Sequence, residues 1–349
     1  YFESDSETKA ILNLESDIES ILHSNKQPTS SQILCLASYR PLGEYKWHEL
    51  LQDTIDIEAV YLQQIIEPKR EQKLKSTIRT QDEITDNVSI KVKGQYERNP
   101  YPRWTVARIF REAQHVSKNF EELQLRADME RLRYLKKPRI LVAGCGTGRH
   151  PIESATNYKD AEILAIDLSL SSLAYAKRKA EEFAIKNIEF MQLDILNLKK
   201  LGRKFDIIES SGVVHHMANP IQGWRILHDC LENHGVLLMG LYSALSRENI
   251  RKIREETIRL GFSPDTQSMR KFRKFVQESN EGIYESIRHS DDFCTLSSIR
   301  DLVFHEQEHH FTIPQIQDIL DELKLRFCGF TGEKVLSAFR SSFPQNEAI

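Results

Sequence analysis

The feature that most constrains this chain is a glycine turn. Gly144-Cys145-Gly146-Thr147-Gly148 follows directly on the apolar, β-branched run 140–143 and leads into helix-compatible sequence. Glycines let such a turn take positive φ and bring backbone N–H groups and a helix N-terminus close to a bound polar group, with no Cβ in between. The same texture continues downstream. Short apolar runs at 163–166, 188–193, 205–208 and 236–241 alternate with helical segments, at spacings that suit βαβ units. The expected fold is therefore α/β, a doubly wound parallel sheet with helices on both faces over 137–245.

The flanks read differently. Ile11, Leu14, Ile18 and Ile21 recur at helical spacing, and further helical stretches are expected at 31–40, 56–66 and 82–96, punctuated by Pro41 and Pro68. No repeat of solenoid period is visible. The expected division is a helical N-terminal region (1–95), a lid loop and charged connecting helix (96–136, the helix at 117–136), the sheet core (137–245), an inserted helical cap (246–310), and a C-terminal helix with last strands completing the core (311–349). Thr312 precedes Pro314 and should cap the helix at 312–323, and 326–330 is a strand candidate.

The glycine spacing narrows the ligand. A dinucleotide fingerprint wants G-x-G-x-x-G, but Arg149 stands five after Gly144, and no G-K-[ST] follows to make a P-loop. Nineteen residues past Gly148, Asp167 ends the second strand, where a carboxylate can accept both ribose hydroxyls of a nucleoside. The third strand ends in Asp194, placed to accept from an adenine amino group, with the Ile195 N–H for a ring nitrogen and Leu168 to pack on the ring. A G-x-G-x-G loop followed by two acidic strand ends points to an adenosine ligand without a pyrophosphate. The bland alternative is that the glycines only make a tight turn and the aspartates cap helices.

The segments 140–150, 163–169, 190–196 and 205–220 together resemble a class I S-adenosylmethionine-dependent methyltransferase. Phe205-Asp206-Ile207-Ile208-Glu209-Ser210-Ser211-Gly212-Val213-Val214-His215-His216-Met217 is similar to the fourth-strand motif of the small-molecule-type branch, and Gly235-Val236-Leu237-Leu238-Met239 to its fifth strand. Arg40-Pro41-Leu42, Gln95 through Trp104, Gly240-Leu241-Tyr242-Ser243 and Phe304 through His309 resemble segments of bacterial methyltransferases that often carry tetratricopeptide repeats upstream. Because those relatives continue further and this chain begins at Tyr1, a piece of a longer protein is expected. The resemblance implies a Rossmann-like sheet and S-adenosylmethionine as cofactor. It implies that Gly144, Gly146 and Gly148 surround the methionine part, Asp167 the ribose, Asp194 and Ile195 the adenine, and Ser210 and Ser211 the edge of the reaction centre.

Methyl transfer from a sulfonium is an in-line displacement with a good leaving group, so alignment and a desolvated pocket are the main requirements. A hydroxyl or ammonium acceptor must also lose a proton, and His215 is the candidate base, with packing as the plainer reading for both His215 and His216. The [DN]-P-P-[YF] turn of amino-methyltransferases is missing after the fourth strand, where Glu209-Ser210-Ser211-Gly212 stands. Asn99-Pro100-Tyr101-Pro102 precedes the first strand and is expected either to form a lid, with Tyr96, Tyr101 and Trp104 over the cofactor, or simply to pack as a loop. His305-Glu306-Gln307-Glu308-His309 satisfies H-E-x-x-H in letters, but a new helix starts a few residues later, so no metal is expected there.

Composition bounds the partners. Formal charge is −3, so nucleic acid is an unlikely acceptor, although 247–274 is a basic stretch that suits a solvated helix face or an acidic substrate. No apolar stretch approaches the roughly 18 residues of a membrane span. Five scattered cysteines without a C-x-x-C pair suit a reducing cytoplasm. The acceptor is expected to be a small molecule or a protein side chain, with a protein partner on the N-terminal helices possible. The competing reading is a non-catalytic interaction or regulatory protein with a methyltransferase-like fold. An oxidoreductase is disfavoured by the glycine spacing.

Overall fold

The computed structural model describes residues 3–110 and 112–344. Four helices open the chain: α1 (Asp5–His23), α2 (Ser30–Tyr39), α3 (Glu58–Tyr61) and α4 (Glu67–Lys75). A sheet region follows with β1 (Arg79–Thr80), α5 (Asn87–Arg98), α6 (Val116–Glu122), α7 (Met129–Arg133), β2 (Arg139–Ala143), α8 (Arg149–Asn157), β3 (Glu162–Asp167), α9 (Leu170–Glu182), β4 (Ile188–Gln192), β5 (Phe205–Ser211), α10 (Pro220–Asp229) and β6 (Leu231–Gly240). Helices α11 (Glu248–Arg259), α12 (Thr266–Glu278), α13 (Glu285–Arg288) and α14 (Leu296–Val303) come next, then α15 (Ile313–Glu322) and α16 (Glu333–Ser342). None of the described helices is long and apolar enough to cross a membrane.

Two compact units result. One joins Tyr1–Thr77 to Lys252–Phe304, and the other joins Ile78–Arg251 to His305–Ile349. The helical unit starts from local signals. Ser4 with Glu7 and Thr29 with Gln32 make capping boxes at the starts of α1 and α2. The α1 stripe Ile11, Ile18 and Leu22 is buried with Ile33, Leu36, Leu42 and Trp47. Pro68 does not interrupt the chain as expected. It sits in the first turn of α4, after a single π turn at Leu62–Ile66, where a missing N–H costs little.

The sheet unit is wholly parallel, in the order β1-β4-β3-β2-β5-β6. The chain leaves β2 toward β3 and β4 on one side, then returns to β5 and β6 on the other, so the strand order reverses beside β2. Ligands of such sheets sit in the crevice outside the carboxyl ends of the strands at that reversal. Central strands are buried on both faces, which is why they read as continuous apolar runs: Ile140, Leu141, Ala165, Ile166, Ile207 and Ile208 are all sealed.

Three expectations differ from what is observed. The helix at 117–136 is two short helices, α6 and α7, because Gln124 takes a left-handed φ of 53° between them. Helix α5 belongs with the sheet unit rather than the N-terminal helices, since it packs against α9. The segment 326–330 pairs with no strand among the described residues. It is tied instead by the Arg126 N–H to the Cys328 carbonyl (2.7 Å) and by the Arg326 guanidinium to the Arg126 carbonyl (2.9 Å).

Leu227 on α10 is fully buried against the sheet cluster of Leu141, Ile208 and Trp224. Leu227→Ala should cost about 2–5 kcal/mol, visible as a lower urea midpoint at unchanged slope.

Candidate functional site

The glycine turn takes the predicted form. Gly144, Gly146 and Gly148 have φ of 75°, 53° and 85°. The outer two are shaped by packing, since a Cβ on Gly144 would lie 2.3 Å from Val213 and one on Gly148 2.3 Å from the Ala176 Cβ. Gly146 is different. A Cβ there would point into a gap whose nearest atom is the Tyr101 carbonyl oxygen, at 3.6 Å. That gap lies between the turn and the loop before the first core strand, which is where a ligand cradled by the turn would sit.

Asp167 ties the turn to β3. Its Oδ2 accepts the Gly146 N–H (2.8 Å) and its Oδ1 the Ser169 N–H (2.9 Å). Burial pushes its carboxyl up, while these N–H donors pull it down. Each oxygen keeps a second lone pair, so the residue remains able to accept ribose hydroxyls. Leu168 follows, half-buried, with its carbonyl bonded to Gln192 (2.7 Å). Asp194 caps the 3-10 turn Ile195–Leu201 by accepting the Leu196 N–H (2.9 Å), so the capping role named as the bland alternative is real for it. Burial pushes its carboxyl up as well, against that N–H and a hydrogen bond with Ser89 on α5. Ile195 is buried beside it. Ser210 is sealed and its hydroxyl donates to the Ala143 carbonyl (3.1 Å), whereas Ser211 is exposed at the tip of β5.

A lid covers this crevice. The Thr147 hydroxyl donates to the Pro102 carbonyl (2.5 Å), and the Trp104 indole N–H to the Thr147 carbonyl (3.1 Å). Glu97, at the end of α5, receives the Leu170 and Ser171 N–H groups (2.5 and 3.2 Å) and so places a carboxylate on the N-terminus of α9. Its neighbour Tyr96 reaches the other way, with its hydroxyl 3.2 Å from His305 Nε2. These two residues, with Ser89, fasten α5 across the strand ends. The sequence showed Tyr96 as a lid residue. It carried no signal for Glu97, whose partners lie 73 and 74 positions away.

Beyond β5 the histidines assemble into a stack. His215 is fully buried, lies 4.0 Å from the Tyr242 ring and 4.2 Å from His216, and finds no hydrogen-bond partner for either ring nitrogen. Burial, followed by the charges of His216, Arg247, His310 and His309, pushes its imidazole down to about 2. A neutral ring this weakly basic suits hydrogen bonding better than proton removal. His216 Nδ1 bonds the Gln307 carbonyl (2.7 Å), and its ring stacks on His305 at 3.6 Å. His305 Nδ1 accepts the Gln307 N–H (3.2 Å), which leaves the proton on Nε2 when the ring is neutral and directs it at Tyr96. The H-E-x-x-H stretch is irregular, non-helical backbone, tied to the turn after β5 by the His309 N–H to the His215 carbonyl (2.8 Å). Among the described residues, no three His, Cys, Asp or Glu side chains converge as a metal site.

A cavity of about 1910 Å³ lies along the outer edge of β6 and is lined by Ser211, Trp224, Gly240, Tyr242 and Phe327 among others. It takes in neither the glycine turn nor Asp167 nor Asp194, so it is separate from the cradle at Gly146.

A buried carboxylate on β5 also escaped the sequence reading. Glu209, 2% exposed, accepts from the Ser154 hydroxyl (2.6 Å) and the Tyr158 hydroxyl (3.3 Å) and lies 3.0 Å from His150 Nε2. For His150, burial is the largest single influence and works against the charged form, but the bond to Glu209 together with the charges of Glu209 and Glu153 outweighs it, and the net shift is upward. A raised histidine contributes stability that is fully present below its ordinary value, about 6.5, and is lost as pH rises through the folded value. Thermal midpoints of the intact chain should therefore fall as pH is raised from about 6.5, and His150→Asn should flatten that dependence. An unchanged slope would separate His150 from it.

Comparison with known proteins places the central region. Residues 136–283 match the family model described as a methyltransferase domain. A Synechococcus protein is 37% identical over 35% of this chain and 29% of its own length. The tRNA (guanine-N(7)-)-methyltransferase of Rubrobacter xylanophilus is 34% identical over 26% of this chain and 44% of its own. In each case the chain spans less than half of the relative. Among solved structures, PKMT2 from Rickettsia typhi aligns with 67% of this chain and 50% of its own, at 19% identity and a TM-score of 0.49. With the family match and the glycine turn of the parallel sheet in agreement, residues 136–283 match a methyltransferase domain.

Proposed function

We propose that the chain transfers a methyl group to an acceptor that is a small molecule or a protein side chain. The observation that carries this is the bracket of Asp167 around the glycine turn, open toward the gap at Gly146, with Asp194 at the next strand end. S-adenosylmethionine, the cofactor of this domain class, supplies an electrophilic sulfonium methyl when bound. Asp167 would hold the ribose, Asp194 and Ile195 the adenine with Leu168 packed on its ring, and Gly144, Gly146 and Gly148 the methionine part. Ser211, exposed at the tip of β5, borders the reaction centre, while Ser210 fixes the strand end behind it.

The lid residues exclude water from this space and hold the acceptor side in place. Tyr96, oriented by His305, spans the mouth of the crevice between α9 and the turn after β5. His215 offers a sealed neutral imidazole whose two nitrogens lack partners. Its proposed role is a hydrogen bond to the acceptor, with proton acceptance only after the acceptor's arrival changes its surroundings. A chain of net charge −3 does not favour nucleic acid as acceptor. The helical unit, compact in itself, is suited to recognise the acceptor or a protein partner. Five unpaired cysteines support a reducing, cytoplasmic setting.

Calorimetry with S-adenosylmethionine and S-adenosylhomocysteine should show binding by the intact chain. Asp167→Ala should weaken it by about 10–100-fold, the worth of hydrogen bonds to a charged group. No binding by the unaltered chain would end this reading and leave the non-catalytic one. Transfer of radiolabelled methyl into cell extract, fractionated into protein, RNA and small-molecule pools, identifies the acceptor class.

A second expectation concerns the lid. His305→Ala should lower labelled-methyl incorporation and expose Lys91, Lys93 and Arg98 of α5 to trypsin, while His305→Gln, which can still donate to Tyr96, should restore both. Equal behaviour of the two variants would remove His305 from any positioning role.

A further inference from the structure

The basic stretch 247–274 is only partly absorbed by its own surroundings. Arg247 lies over the Tyr242 ring at 3.6 Å and 3.7 Å from Glu308, and Arg259 is paired with Glu256. Arg273, on the helical unit's α12, is the exception. It is 8% exposed, and its Nε and Nη1 are sealed from solvent without a hydrogen-bond acceptor. Its stem packs so that the guanidinium lies 5.4 Å from the centre of the Phe293 ring. Among the described residues no carboxylate forms an ion pair with it. Burial disfavours its charge, the Cys294 thiol acts in the opposite sense, and the nearby charge of Arg270 adds to the penalty. Arg270, one turn earlier on the same helix, also has a sealed Nε without an acceptor, and it reaches only the far side of Glu3, at 3.8 Å.

A guanidinium buried without a counter-charge is among the costliest arrangements a fold can contain, because desolvation is not repaid. An aromatic face offsets a small part of it. What repays it in full is an oxyanion, since carboxylate and phosphate match the planar donor fork of arginine with two parallel hydrogen bonds. Each fork of Arg273 contains an unsatisfied nitrogen, Nε in one and Nη1 in the other. Nη2, common to both forks, is outside the sealed set, which leaves a route in from the surface. We propose that Arg273, with Arg270 beside it on α12, forms a binding site for an oxyanion, either a carboxylate or a phosphate group. The site lies outside the methyl-transfer machinery and would engage an acidic group of whatever the helical unit recognises.

The test needs no cofactor, so it stands or falls separately from the methyltransferase reading. Thermal unfolding of the intact chain is followed against increasing sodium phosphate and, in a second series, sodium acetate, with sodium chloride making ionic strength equal throughout. The unaltered chain should show a saturable rise of about 2–4 °C. Response to acetate as well as phosphate assigns a carboxylate-type ligand, and response to phosphate alone a phosphate group. Arg273→Met, which removes the buried charge while keeping the volume of the stem, should unfold no lower than the unaltered chain in chloride and should lose the saturable rise. Arg273→Lys keeps a charge without the fork and should lose most of it. A rise of equal size in all three proteins, or one that never saturates, identifies an adventitious ion only and overturns the site. So does a marked loss of stability in Arg273→Met, which would mean that the guanidinium is already satisfied.

Discussion

Asp167 is the joint on which the cofactor end of the sheet depends. One oxygen holds the Gly146 N–H and the other the Ser169 N–H, so a single carboxylate sets the glycine turn and the start of α9 at once. Around it the loop closes further, with the Gly144 and Cys145 N–H groups both donated to the Ile166 carbonyl, each at 2.9 Å. The shape of the turn is thus held by the protein's own hydrogen bonds, which suits a reaction that depends on alignment. The same burial that makes the bracket rigid raises the cost of the charge, and the N–H donors offset that cost.

The lid extends this joint across the strand ends. Glu97 occupies the N-terminus of α9, Ser89 meets Asp194, and Tyr96 meets His305, so α5 is fastened to all three sides of the crevice. Each contact joins a residue before the sheet to one well inside or beyond it. Opening the crevice must then expose the first N–H groups of α9, release Asp194 and break the histidine stack together, and these events are expected to be cooperative.

How much of this the sequence disclosed follows from distance along the chain. Strands β2 to β5 were legible because their inner residues are buried and so keep continuous apolar runs, β6 because 236–239 is apolar although mostly half-buried, and Asp167 and Asp194 because they follow such runs. β1 was missed, since two exposed residues, Arg79 and Thr80, carry no pattern. The 326–330 run has strand-like residues but no neighbour to pair with, and its carbonyl and guanidinium contacts go to Arg126 instead. Glu209 was quoted within its motif, yet nothing local marks it as the buried partner of Ser154, Tyr158 and His150. The H-E-x-x-H letters suit a metal only on a helix, which the start of a new helix just beyond already argued against, and the backbone there is not helical.

The two edges of the sheet are unlike. On one side β1 ends the array after two residues, too short to template anything. On the other, β6 runs for ten residues, and among the described residues its outer row of amide and carbonyl groups faces a cavity instead of another strand. A long parallel edge with a deep apolar trough beside it invites any extended segment to add itself as a seventh strand. The readiness of the isolated chain to self-associate at high concentration should thus depend on β6, the direct neighbour of the strand that carries Ser210 and Ser211.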